Sequence, residues 1–125
     1  MSYPKKISRE TILASAMAFI EDHGVAELSM RTLAANLGVT PNALYRYFAS
    51  KADLEFAMAD EGGHMMLAEL EKAAAGLAPP EDIRAMARAY VRFARRYPKL
   101  YAMKMQHCAL NEDKPGSHDA IWAFV

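Results

Sequence analysis

The chain has 125 residues, with 15 basic and 15 acidic side chains and a net charge of zero. That length suits one small domain, or one domain plus part of another, with a modest core. Cys108 is the sole cysteine, which excludes an intrachain disulfide and a Cys-rich zinc site; no apolar run approaches the length of a membrane span, and residues 1–9 lack the apolar core of a secretion signal, so a cytoplasmic protein is expected. The charge is unevenly placed. Residues 1–51 carry Lys5, Lys6, Arg9, Arg31, Arg46 and Lys51 against Glu10, Glu21, Asp22 and Glu27, a surplus of two, and the remainder has the matching deficit.

In chain order, residues 1–7 read as a short polar arm to which Lys5 and Lys6 add charge. Ser8 then caps a first helix whose Ile12, Leu13, Ala16, Phe19 and Ile20 form one apolar face and which His23 and Gly24 end. The most informative stretch follows, residues 29–51, SMRTLAANLGVTPNALYRYFASK. The Ser29 hydroxyl caps a short helix with Leu33, Ala34 and Leu37 inward. Gly38 closes it, because glycine tolerates the left-handed backbone of a sharp exit, and Ala34 is small enough to let a second helix cross closely. Thr40 is a second N-cap with Pro41 at the first helical position, where a missing N–H costs nothing. Leu44 and Phe48 form an i, i+4 seam, leaving Asn42, Tyr45, Arg46 and Tyr47 on outer faces. Two short helices joined by a tight turn are a device for reading DNA. An ordinary helical hairpin is the competing reading, but it has no need of a cap, glycine, cap, proline order with aromatic and basic residues beside the seam.

Beyond the turn, Ser50 and Asp53 make an S-x-x-D capping signal for a fourth helix carrying Leu54, Met58, Met65, Leu67 and Leu70 toward Gly76. Gly62-Gly63 interrupts its pattern. Two such glycines cost on the order of 2 kcal/mol relative to alanine, so a bend or a close approach is expected there. Pro79-Pro80 followed by Glu81 and Asp82 starts a fifth helix that ends at Tyr97, with acid in its first turn complementing the helix dipole. Pro98 opens a sixth through Leu100, Tyr101 and Met105; residues 111–117 read as a loop, and residues 118–125 begin another apolar helix. No strand signal or repeat appears. The expected fold is all-α, a three-helix helix-turn-helix domain over residues 1–51 followed by a partial helical effector or dimerisation domain over residues 52–125.

The segment LAANLGVTPNALYRYFASKADL resembles the helix-turn-helix of the tetracycline-repressor (TetR) family. It has the family's order of Leu/Ile-Ala, Gly-Val-Ser/Thr, Leu-Tyr-x-His/Tyr-Phe, then Lys and an acidic-Leu pair, with Tyr45, Phe48, Lys51 and Leu54 in register without a gap. The run ARAYVRFARRYPKLYAMKM, with the later DAIWAFV, resembles TetR-like regulators whose effector domain is named for a Trp-x-x-x-x-His-Gly motif. The chain stops before that His-Gly. Members of the family commonly have about two hundred residues and dimerise through two further long helices, so the resemblance implies a truncated or shortened form and makes the usual homodimer doubtful for this chain.

The second helix of the motif enters the major groove with its N-terminal half, which sets Thr40, Pro41, Asn42 and Ala43 against base edges. Asn42 can bond adenine, and Pro41 or Ala43 can touch a thymine methyl. Arg46 reaches guanine or a phosphate. Tyr45, Tyr47, Ser29, Arg31 and Lys51 grip phosphates on either side, as matching positions do in the family. Tyr45 has a second reading as a core residue and Lys51 as a solvated one.

Catalytic and metal chemistry are not expected. His64, His107 and His118 are scattered, no HExxH or phosphate-binding glycine loop occurs, and no cofactor is implied. Met58, Met65, Met86, Tyr90, Phe93, Tyr101, Met105 and Trp122 are candidates to line a pocket for a small apolar effector, as in this family, with plain core packing as the alternative. The resemblance therefore implies a non-enzymatic transcription regulator, a repressor, that binds double-stranded DNA at a palindromic operator and leaves it when an effector moves the fourth helix. The alternative is a truncated helical interaction module that pairs with another regulator and lacks effective operator binding.

Overall fold

A computed structural model of the chain describes residues 7–110, the side chains of 107–110 excepted. Lys5, Lys6, His118, Trp122 and the expected loop and helix after residue 110 lie outside the described residues, as do the side chains of His107 and Cys108. Over the described residues the chain is all α-helical, in the order α1 (Arg9–His23), a 3₁₀ turn (Val25–Glu27), α2 (Met30–Leu37), α3 (Pro41–Tyr45), α4 (Lys51–Ala74), α5 (Glu81–Arg96) and α6 (Pro98–Leu110). It forms two compact units, Met1–Met58 and Ala59–Val125, so the first turns of α4 belong to the first unit and the rest to the second.

In the first unit, α1 packs on α2 and on the 3₁₀ turn, and α2 packs on α3. Local chemistry sets each boundary. Ser8 caps α1, its Oγ accepting from the Thr11 N–H at 3.1 Å, and Gly24 ends it at φ +87°. Ile12, Leu13, Ala16 and Ile20 of the expected apolar face are buried; Phe19 sits at its margin, half-buried against the His23 ring with centroids 4.7 Å apart. From α2 and α3 come Met30, Leu33, Ala34 and Leu44, with Leu28 and Phe48 from the flanking segments, all buried. Leu37 is only half-buried. The 3₁₀ turn was not legible in the sequence, since three residues carry no periodicity.

The α4 cap joins residues 49–53: the Asp53 N–H donates to Ser50 Oγ at 3.1 Å, and Asp53 Oδ2 accepts from the Ala49 N–H at 3.0 Å. Along α4 the large buried apolar residues are Leu54, Met58, Met66 and Leu70, with Ala57 and Ala59 beside them; Met65 and Leu67 are half-buried. Met66 takes the inward place because it lies eight residues from Met58 and four from Leu70, in step with the helical repeat.

In the second unit α5 packs on α6. Gly62 and Gly63 do not break α4. A Cβ on Gly62 would lie 3.1 to 3.3 Å from the Leu100 side chain, so the missing side chain is what lets Leu100 of α6 rest against the α4 backbone. Of the two expectations at this glycine pair, the close approach is the one found. Ala85, Ala89 and Phe93 line the inner face of α5, at four-residue intervals, opposite a run of exposed arginines.

Candidate nucleic-acid interface

The reading head is built around α2. Ser29 lies at its N-cap in an extended conformation, and its Oγ accepts from the Thr32 N–H at 3.0 Å while Thr32 Oγ1 accepts from the Ser29 N–H at 2.9 Å. This is a reciprocal capping box in which threonine does what glutamate or glutamine more often does. Thr32 was missed in the sequence; the S-x-x-T spacing was the available signal. The Ser29 side chain is committed to the helix end, which it holds in place beside Arg31, an exposed residue with no ion pair among the described residues.

At the other end of α2, Gly38 has φ +71°, a conformation in which an L side chain is strained. The Gly38 and Val39 N–H groups turn back to the carbonyls of Ala35 and Ala34, at 3.2 and 3.0 Å. The sharp exit puts Thr40 at the N-cap of α3 and Pro41 at its start. Thr40 adopts the extended backbone of an N-cap, yet its hydroxyl makes no capping bond; only its carbonyl is used, by the Ala43 N–H at 3.0 Å. The Thr40 side chain, Pro41 and Asn42 are exposed and Ala43 is half-buried. The N-terminal edge of α3 thus presents a hydroxyl, an amide and two small apolar surfaces, a set able to meet base edges.

Beyond that edge, Leu44 and Phe48 are buried, at 0% and 2% exposure, as the seam expectation requires. Tyr45 is 50% exposed, which removes its core reading, and Arg46 is exposed. Tyr47 is 42% exposed and its hydroxyl donates to the carbonyl of Ile7 at 3.0 Å. Lys51 keeps a side chain that is 37% exposed and is also bonded within the head. Its Nζ donates to the Val25 carbonyl at 3.2 Å and stands 3.9 Å from Glu55 Oε1, bracing the 3₁₀ turn against α4. Asn36 Nδ2 donates to Ser15 Oγ at 3.2 Å, and the Arg9 guanidinium lies over the Phe48 ring, 5.3 Å from its centroid. These contacts join segments far apart in sequence, and no local pattern announces them.

The effector candidates are dispersed. Met58 is fully buried in the first unit; Met65, Met86, Tyr90 and Tyr101 are half-buried in the second, Phe93 is buried there, and Met105 is exposed. Tyr90 and Tyr101 are in contact, their hydroxyls 2.6 Å apart and their rings edge to face. Trp122 lies outside the described residues. Among the described residues no group of three His, Cys, Asp or Glu side chains comes together to hold a metal, and no helix is long and apolar enough to cross a membrane.

Residues 12–58 match the model of the family described as bacterial regulatory proteins, tetR family. Over 99 residues the chain is 31% identical to an uncharacterized HTH-type transcriptional regulator of Mycobacterium tuberculosis, an alignment spanning 79% of this chain and 45% of that protein. Among solved structures, a protein of unknown function from Rhodococcus sp. RHA1 superposes with a TM-score of 0.74 at 30% identity, over 97% of this chain and 61% of that one. A TetR family transcription regulator from Marinobacter aquaeolei VT8 superposes with a TM-score of 0.70 over 92% and 61%; at 19% identity it attests the fold alone. The chain therefore spans about half the length of its curated relative and about three-fifths of these structures. The capped α2, the glycine turn and the exposed α3 edge all lie inside the matched segment, so the head of this chain is similar to that of the tetR family of bacterial regulatory proteins.

Proposed function

We propose that the chain is a DNA-binding transcription regulator, a repressor that occupies a palindromic operator as a dimer and is released by a small apolar effector. The observation that carries the DNA-binding part is the exposed edge of α3, where the Thr40 hydroxyl is left uncommitted and Asn42 faces outward from a turn fixed by the Ser29 cap and Gly38. Thr40, Pro41, Asn42 and Ala43 read bases; Arg31, Tyr45 and Arg46 meet the backbone, and Lys51 shares that task with its brace on Val25. Ser29 and Tyr47 act by holding the head together as well as by facing it. The effector's seat is in the second unit, around Met65, Met86, Tyr90, Phe93 and Tyr101, and its binding changes the separation of two heads so that both cannot enter successive major grooves.

A mobility-shift titration against the DNA upstream of the chain's own gene, with the mass measured by light scattering on the same sample, tests the reading. A sequence-selective shift is expected, and Asn42→Ala relaxes the preference at one base position, weakening the preferred site by about 1 to 3 kcal/mol. Equal binding to every duplex by both proteins would refute the base-reading role, and absence of binding would refute the function.

A further inference from the structure

Arg9 is the first residue of α1, where a cation opposes the positive end of the helix dipole. Helix stability therefore gives no reason for an arginine there. Its guanidinium forms no ion pair among the described residues; it lies over the face of Phe48, two residues beyond Arg46. One turn of geometry fixes this arrangement from the other side. The Tyr47 hydroxyl donates to the Ile7 carbonyl at 3.0 Å, so the first turn of α1 is bound to the segment that leaves α3. Tyr47 and Phe48 are adjacent residues, one holding the backbone before Arg9 and the other the Arg9 side chain.

We propose that Arg9 is a further phosphate-binding residue of the head, a cation set beside the outgoing end of the reading helix by Tyr47 and Phe48. The ligand class is a phosphodiester of the duplex that α3 reads, and the proposal rests on that DNA-binding reading. Arginine suits the task because its planar guanidinium can lie on an aromatic ring and still direct N–H groups at phosphate oxygens. Phe48 is buried with the core of the head and carries Arg9 over its ring, so one side chain serves both. Tyr47 acts as a positioning residue. Its hydroxyl proton is directed to Ile7, and it influences DNA binding through the place it gives Arg9.

The test is the salt dependence of binding by the whole 125-residue chain to a fluorescein-labelled duplex of about 30 base pairs, followed by anisotropy between about 50 and 200 mM KCl. For Arg9→Ala the slope of log affinity against log salt falls by about one, and for Arg9→Lys it returns to the parental value, because the term counts phosphates neutralised. Tyr47→Phe keeps the ring and removes the bond to Ile7; it weakens binding in the parent, and much less in an Arg9→Ala background. An unchanged slope in Arg9→Ala, or an equally reduced slope in Arg9→Lys, overturns the proposal, since a purely structural arginine would change affinity without changing the number of phosphates met. Additive losses from Tyr47→Phe and Arg9→Ala overturn the positioning role of Tyr47. If the parent protein itself shows no salt-dependent binding, this proposal fails together with the DNA-binding reading, whereas parental binding with the slope intact in Arg9→Ala sinks this proposal alone.

Discussion

The two units are held together by different means. In the first, α1, α2 and α4 begin at side chains that bond to backbone, at Ser8, at Ser29 with Thr32, and at Ser50 with Asp53, α1 and α2 end at glycines of positive φ at 24 and 38, and only the five-residue α3 starts without a side-chain cap. In the second, α5 and α6 have sixteen and thirteen residues, the N-cap of α5 makes no side-chain bond, and specificity comes from fit, with Leu100 against Gly62 and Tyr90 against Tyr101. Length alone does not explain the difference, since the fifteen-residue α1 is capped and the five-residue α3 is not; at the eight-residue α2, too short to be stable by its own hydrogen bonds, fixing both ends matters most.

The strongest challenge to this comparison is to remove the first unit's small core. Leu44→Ala or Phe48→Ala should destabilise the chain by roughly 2 to 5 kcal/mol in urea or thermal unfolding, because both side chains are buried in the core and each truncation leaves a cavity. Loss of DNA binding with full thermal stability would show that these side chains serve the ligand and that the caps alone hold the head.

In the second unit the matching experiment adds bulk. Gly62→Val should cost about 1 to 3 kcal/mol by driving a side chain into Leu100, and Leu100→Ala in the same protein should recover part of that loss. Simple additivity in this double-mutant cycle would mean that α6 is not seated on Gly62.

Smaller effects sharpen the distinction. Ser29→Ala should remove about 1 kcal/mol through loss of the capping box, and Thr32→Ala should add little in its absence, since the two side chains serve one another. Independent losses would deny the reciprocal cap. Arg31→Ala and Lys51→Ala should each lower the salt slope of DNA binding by about one. Only Lys51→Ala is expected to lower the melting temperature as well, because Lys51 alone of the two donates to the Val25 carbonyl. Unchanged slopes would take both residues off the phosphate backbone, and equal melting temperatures would make the Lys51 brace inconsequential.

How legible each part was depended on whether its cause was local. The Ser29 cap, the Gly38 exit, Pro41 at the start of α3 and the Leu44–Phe48 seam all show in the sequence, because each depends on residues within one helical turn. Residues 41–43 at the edge of α3 followed from those boundaries. The inward side of α4 was harder, since methionines at 65 and 66 and Leu67 are adjacent and equally apolar, and Met66 faces inward only because its neighbours on the same face do. Gly62 announced an irregularity without saying which of two kinds.

What the sequence alone determined, then, was the order of short helices, their ends, the all-α class and the family resemblance of the head, for these rest on hydrogen bonds and backbone angles set by near neighbours. Tertiary structure decided which of the polar side chains remained available to a ligand. Tyr47 was diverted to Ile7, Lys51 to Val25 and Asn36 to Ser15, while Arg9 was placed on Phe48. Those choices depend on distances between segments up to forty residues apart, and such distances exist only once the helices have packed.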